Sequence, residues 1–381
     1  MNRNENRKTI RTFAIASFLN DLGSDIISPI WPLFITSVLN ANMAVLGLID
    51  GLGEAIVSIS QAASGYFSDK IRKRKIFIWT GYLFGSFSRI GYALSTAWQH
   101  VIPFRILDRA GKIRSAPRDA IIADISTKEN RGRNFGLLRT MDNLGAVFGI
   151  LICILFVELL GYRTLFMLAA IPSAIGALLI LFIIKERKVE QLKIFKGLSF
   201  QDLDKNFLLF LGLSAIFALG TFSYSFLLIY AKQFGFAVTF VPVLYLIFTA
   251  AASIFSLPFG RLSDKIGRKK VLMLAFLLWG LVCLNFILSQ SYFSIILGFI
   301  LYGVHKAALE TVQKTFVAEL APPQYKASTL GGFQMVVGLC ALPASVIAGM
   351  LWEKVSLSMP FYFSLAVTII SSLMLLVVRE K

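Results

Sequence analysis

Apolar residues fall along this chain in twelve long runs separated by a few polar positions each. They lie near 12–37, 43–66, 76–97, 100–125, 134–160 and 163–185, then near 206–231, 236–260, 270–290, 292–319, 327–352 and 357–378. Runs of ~20 to 25 residues are long enough to cross a bilayer as helices, so the pattern predicts an all-α membrane protein of twelve spans. Proline inside a run (Pro29, Pro32, Pro117, Pro258, Pro343) is read as a kink, which membrane helices tolerate. The glycines Gly145 and Gly149 have the spacing of close helix packing, with Gly331, Gly332 and Gly338 in the matching run of the other half. The polar stretch 185–205 is the longest connection, giving a first six-helix bundle over 1–190, a linker over 191–206 and a second bundle over 207–381.

A repeat supports that division. The turn after the second run, GYFSDKIRKRK over 65–75, returns 195 positions later as GRLSDKIGRKK over 260–270. The same offset aligns Ala123-Asp124-Ile125 with Ala318-Glu319-Leu320, and Gly136 with Gly331. The chain is thus two homologous halves. Membrane topology counts Lys and Arg and hardly registers Asp, so an acid kept in both turns, Asp69 and Asp264, asks for a positive partner such as a helix N-terminus.

Composition fits the pattern: 56% of the 381 residues are hydrophobic and the mean hydropathy is +0.72. A soluble globule is excluded. The net charge of +17 gathers before the first run (Arg3, Arg7, Lys8, Arg11) and in alternate connections, at 70–75, 128–133, 185–205 and 261–270. The opposite connections hold little beyond Arg163, Lys232 and Lys354. This asymmetry places both termini in the cytoplasm and makes lipid headgroups, not nucleic acid, the partner of the basic face. Cys153, Cys283 and Cys340 all lie inside runs and are read as apolar fillers. The first run carries Asn20, Asp21 and Asp25 with no cleavage site after it, so it is read as a retained helix.

Charges inside the runs are the candidate chemistry, because an ion at mid-bilayer costs ~2.5 to 3.5 kcal/mol and has to face protein or water. Asp21 and Asp25 share a helix face, as do Asp50 and Glu54; Arg89 lies deep in the third run. The fourth run carries Arg105, Asp108, Arg109 and Lys112 on one predicted face, then Arg114, Arg118 and Asp119. Arg139 and Asp142 lie in the fifth, and His305, Lys306, Glu310 and Lys314 in the tenth. The basic set Arg105, Arg109, Lys112, His305 and Lys306 is the candidate solute-binding set. Asp25, Glu54, Asp108 and Glu310 are the candidate proton carriers, since burial and nearby Arg move a carboxyl pKa in opposite directions. For Asp21, Arg139 and Asp142, mutual neutralisation is an equally good reading.

The repeated turn resembles the G-x-L-a-D-r-x-G-r-k signature of the major facilitator superfamily. The second copy has Gly260, Asp264, Gly267 and Arg268 in place; the first departs from it with Phe67 for Leu and Arg72 for the second Gly. The stretch RILDRAGKIRSAPRDA over 105–120 is similar to D-R-x-G-K-G-I-R-x-x-P-R-D-A of a bacterial branch, with one Gly missing between Lys112 and Ile113. A bulge or kink must absorb that deletion, which rotates the rest of the helix by about 100°.

The repeat and the resemblance together imply two six-helix bundles, a site near mid-membrane and alternating access. The resemblance also implies gating by Gly65, Asp69, Gly260, Asp264 and Arg268, with Arg118 and Lys314 as basic companions. Each acid would dock at a helix N-terminus of the other half, Asp69 near 327–329 and Asp264 near 132–135. With no nucleotide-binding motif, a proton gradient is the expected energy source, and no cofactor or metal is expected. The expected function is export of drugs or metabolites by a monomer in the cytoplasmic membrane. Transport of an organic anion such as a sugar acid, polycarboxylate or siderophore is the second reading. A receptor or enzyme on a transporter scaffold is the third, although no catalytic triad or zinc-binding helix motif occurs.

Overall fold

The computed structural model describes residues 3–71, 73–127, 130–186, 204–288, 291–321 and 326–380; the side chains of 3, 4, 69, 131, 132 and 326–328 lie outside that description. Among the described residues every regular element is helical. The first span is α1 (Arg3–Ile27), then the short α2 (Trp31–Leu33) and a π-helical turn, Phe34–Val38. Next come α3 (Met43–Lys70) and α4 (Lys75–Leu94). The fourth span is α5 (Trp98–Ala110), a 3-10 turn (Gly111–Arg114) and α6 (Ser115–Asp124). The long α7 (Arg131–Ile183) supplies two spans, since Gly161 breaks it with φ 71 and ψ 172. In the second half α8 (Lys205–Gly220) and α9 (Tyr224–Phe234) share a span, followed by α10 (Val241–Ile266), α11 (Arg268–Leu288), α12 (Tyr292–Leu320), α13 (Lys326–Lys354) and α14 (Met359–Val377).

These are the twelve expected spans, in order. Among the described residues eight helical segments are long and apolar enough to cross a membrane by length and composition, the broken α7 counted once among them. The first, third and fourth spans fall outside that group; they carry Asp21 and Asp25, Arg89, and the Arg105–Arg109 charges. Large apolar side chains such as Leu155, Leu159, Phe182 and Phe293 are 70–79% exposed, which suits lipid and not water.

Three runs expected as single helices are interrupted. The first breaks at residues 28–30, where Pro29 and Pro32 remove backbone donors. The seventh breaks at Thr221 to Ser223, both extended, with ψ 134 and 145. The fourth tightens into the 3-10 turn where the resemblance finds a residue missing. At ~2.0 Å rise per residue, four residues there cover the length of about five α-helical ones at 1.5 Å, so the deletion is absorbed locally. The first helix also starts earlier than the apolar run, because its basic first turns are helical without being hydrophobic.

The chain forms two compact units, one of residues 1–40 and 56–194 and one of 41–55 and 195–381. α3 is thus divided, its first half counted with the second unit. In the first unit Ile10, Phe13 and Ala16 of α1 pack with Ile78 and Tyr82 of α4, Ile121 and Ile122 of α6, and Leu138, Ala177 and Ile180 of α7. Gly145 and Gly149 carry α7 against the α1 backbone: a Cβ at either would lie 2.3 Å from the carbonyl oxygen of Phe18 or Leu22. The close packing expected from their spacing is therefore formed. The second unit is held by stacked rings, Phe217 on Phe276 at 4.1 Å and Phe286 on Phe361 at 5.3 Å, and by the buried Trp279 indole N–H donating to Ser364 Oγ at 2.7 Å.

Candidate functional site

The two copies of the charged turn are built alike from their sequences upward. Ser68 and Ser263 donate back to the carbonyls of Gly65 and Gly260, at 3.1 and 2.8 Å. A Cβ on Gly65 would touch Ala116, and one on Gly260 would touch Thr311, positions that are themselves 195 apart. In the second copy Gly267 turns the chain with φ 97, a conformation that glycine adopts without strain. Arg268 then sits between acids, its Nη1 2.6 Å from Asp264 and its Nε 3.0 Å from Glu319 at the end of α12.

The first copy has no glycine there, and its connection is longer: α3 ends at Lys70 and α4 starts at Lys75. Arg72 and the Asp69 side chain lie outside the described residues, so the docking expected of Asp69 does too. Here Arg74, not the aligned Lys73, reaches the acid equivalent to Glu319: its Nη1 lies 2.6 Å from Asp124. One ion pair between the turn and the acidic end of the fourth or tenth span is kept in both halves, slipped by one residue where the turn is longer.

A second pair of acids was missed in the sequence. Glu186, just after α7, accepts from the backbone N–H of Arg74 at 2.9 Å and of Lys75 at 3.2 Å. Glu380, just after α14, accepts from the N–H of Arg268 and of Lys269. Each half ends in a basic-Glu pair, Lys185-Glu186 and Arg379-Glu380, whose carboxylate caps the helix following the repeated turn. The 194-residue offset of that dipeptide was the available signal.

The intramembrane charges are distributed over both units. In the first unit Arg105 is only 6% exposed and lies over the Trp31 indole, 4.3 Å from the ring centre. Arg109 and Asp108 stay partly open, each side chain 22% exposed, with 3.8 Å between Nε and Oδ2. Lys112 is half-buried in the 3-10 turn. Arg105 and Arg109 lie on α5, and Lys112 in the 3-10 turn that follows it. Arg114 folds over the Tyr82 ring at 5.0 Å and donates to the Gly111 carbonyl. Arg118 is taken up by Asp119 at 3.0 Å and the Ser17 hydroxyl at 2.7 Å. Asp25 is half-buried on α1, beside the crossing of Gly149.

Arg89 is 2% exposed, and its guanidinium donates to Ala169 O, Ser173 Oγ, Asn20 O and Ser24 Oγ at 2.6–3.2 Å. It joins α1, α4 and α7. Arg139 and Asp142 stand 3.8 Å apart on α7.

In the second unit Lys306 Nζ lies 2.9 Å from Glu310 Oε1, with the side chains 38% and 61% exposed. Glu54 is exposed on α3. His305 is 2% exposed, its Nδ1 2.8 Å from the Ala275 carbonyl and its ring packed against Trp279 and Phe217. Lys314 is exposed on α12.

A profile described as Major Facilitator Superfamily matches residues 13–201 and 208–381. The chain belongs to the major facilitator superfamily. An uncharacterised MFS-type transporter of Methanocaldococcus jannaschii is 40% identical over 98% of this chain and 96% of its own length. The crystal structure of a mutant of the nucleoside transporter NupG superposes with a TM-score of 0.81 at 16% identity, covering 98% of this chain and 100% of that one; at that identity the likeness is one of fold. Citrate exporter 1 of Aspergillus niger is 26% identical over 45% of this chain and 33% of its own length. This superfamily member is thus a multi-pass membrane transport protein built from two six-helix repeats.

Proposed function

We propose that the protein exports a small organic solute across the cytoplasmic membrane in exchange for protons, its two halves alternating between inward and outward openings. The observation that carries this reading is the Lys306–Glu310 pair. It lies well inside α12, a helix apolar enough to span the membrane, yet its side chains are 38% and 61% exposed. Charged groups at such depth do not face lipid. They are expected to line a water-filled path, and Glu54 belongs with them. On the same reading Asp25, Glu54, Asp108 and Glu310 carry protons, and Asp69, Asp264, Arg118, Arg268 and Lys314 with Gly65 and Gly260 gate the cytoplasmic side. The protein works as a monomer, as two halves of 1–190 and 207–381, with both termini in the cytoplasm.

Proteoliposome flux with a panel of organic anions and lipophilic cations, with and without an imposed pH gradient, tests the proposal. At least one solute should accumulate only with the gradient. Flux equal to that of empty liposomes for the whole panel, or accumulation indifferent to pH, would refute it.

A second reading, export of an organic anion, is favoured by Arg109 and Lys112, the two bases of the fourth span that keep open faces. The partial likeness to a citrate exporter points the same way. Here Arg109→Gln should weaken anion affinity by about 1 to 3 kcal/mol, the scale of a hydrogen bond to a charged group. Unchanged affinity with a lowered melting temperature would assign Arg109 to a static ion-pair network with Asp108.

A further inference from the structure

The break between α8 and α9 creates a helix N-terminus inside a membrane span, within the 30-residue segment Lys205–Phe234. Its first N–H groups lack a preceding turn to accept them, and the bilayer interior offers little water instead. Ser223 caps this end, its hydroxyl accepting from Ser225 N at 3.3 Å. A carboxylate then arrives from far away in sequence. Asp50 of α3 is 3% exposed, and its Oδ2 accepts from the hydroxyls of Ser223 at 2.8 Å and Ser225 at 2.5 Å. The positive end of α9 is a favourable place for a buried negative charge.

The segment of α3 around Asp50 is pressed onto α13 over its whole first half. A Cβ on Gly47 would lie 2.1 Å from the Ser345 carbonyl oxygen, and one on Gly51 2.7 Å from Leu342 Cα. The Met43 N–H donates to Glu353 Oε1 at 2.6 Å. This is the segment, 41–55, that counts with the second unit while the rest of the same helix counts with the first. The other repeat has no such acid: the position equivalent to Asp50 is Tyr245, and that equivalent to Ser223 is Ser28. The arrangement is a one-sided addition to an otherwise repeated plan.

We propose that Asp50 is a gating residue, the charged half of a clasp that holds the first half of α3 on α9 and α13 in this conformation. Release of the clasp lets that half move with the remainder of α3, and loss of the carboxylate charge favours release. The proposal rests on the alternating-access reading above, but it is testable without knowing the solute.

Ala44→Cys, placed in a background lacking Cys153, Cys283 and Cys340, reports exposure of the segment through its rate of labelling by a membrane-impermeant maleimide in proteoliposomes. Asp50→Asn should raise that rate about tenfold, because it turns charge-assisted hydrogen bonds into neutral ones roughly half as strong. Ser223→Ala with Ser225→Ala should raise it similarly, and the three changes together no further, because they remove one shared interaction. Asp50→Glu, which keeps the charge, should label close to the parent. An unchanged rate in Asp50→Asn, or rates that multiply in the combined variant, would overturn the clasp. A second background that retains only Cys283, buried in α11, is the control. Equal acceleration there would mean that the variants unfold, and would also overturn it. Labelling that responds as expected while no pH-driven flux is found would leave the clasp standing and remove only the proton-exchange proposal.

Discussion

Arg89 and Arg109 are one residue type in neighbouring spans of the first unit, with opposite fates. Arg89 finds two backbone carbonyls and two serine hydroxyls, on α1 and α7, and is closed off from any path. Arg109 has an acid beside it and a partly open face. Their roles therefore separate on substitution. Arg89→Met should cost about 2 to 3 kcal/mol, since several acceptors lose a charged donor at once. Detergent melting would read this as a lowered Tm with or without solute, and an undisturbed Tm would contradict the role of Arg89 as a link between helices. Sequence alone marks both arginines as charges out of place. It does not separate them, because the acceptors of Arg89 are mostly on helices distant in the chain.

At the scale of the element, the turn-and-cap unit is the most regular feature. Each repeat joins an acidic helix end, an arginine from the charged turn and a glutamate that follows the last span of its own half. The second copy combines them most tightly: Gly267 turns the chain, and Glu380 closes on the first N–H groups of α11. Replacing Glu380 with Gln keeps its shape and removes the charge at a helix N-terminus. The expected cost is about 0.5 to 1 kcal/mol, read as a small fall in Tm, and Glu186→Gln should behave alike at α4. A fall in one variant only would mean that the two caps are not equivalent. Breaks within spans are less legible. Pro29 and Pro32 announce the first, whereas Thr221-Phe222-Ser223 has no proline and breaks where the Ser223 hydroxyl caps the new helix end and Asp50 accepts from that hydroxyl.

For the whole molecule, the test is whether solute movement can be separated from proton movement. Asp25→Asn and Glu54→Gln keep size and hydrogen bonding while abolishing ionisation, so a defect would report the proton and not packing. At least one should abolish pH-driven accumulation while leaving solute exchange across liposomes intact. Should both accumulate solute at the parent rate, the carrier is neither, and Asp108 becomes the next acid to replace. The two acids belong to different units, Asp25 to the first and Glu54 to the second through the transferred half of α3. That assignment is invisible in the sequence, where both fall in the first repeat.

The sequence by itself determined that the chain spans a membrane, how many times, and as two copies of one plan, because those properties depend on the length of apolar runs and on a repeat read residue by residue. It also determined which charges need an explanation, since any ion in an apolar run is costly wherever its partner lies. Tertiary structure decided which of them are buried against neighbours and which stay open. Arg105 lies on Trp31 and Arg118 on Ser17 and Asp119, and His305 meets the Ala275 carbonyl, whereas Arg109, Lys112, Glu54, Lys306 and Glu310 keep open faces. The physical reason is range. Hydrophobic burial and helix length are summed over neighbours in the chain, but a buried charge is settled by a few atoms at about 3 Å, and for Arg89, Arg118 and His305 some or all of those atoms lie on other helices, 30 to 101 residues away.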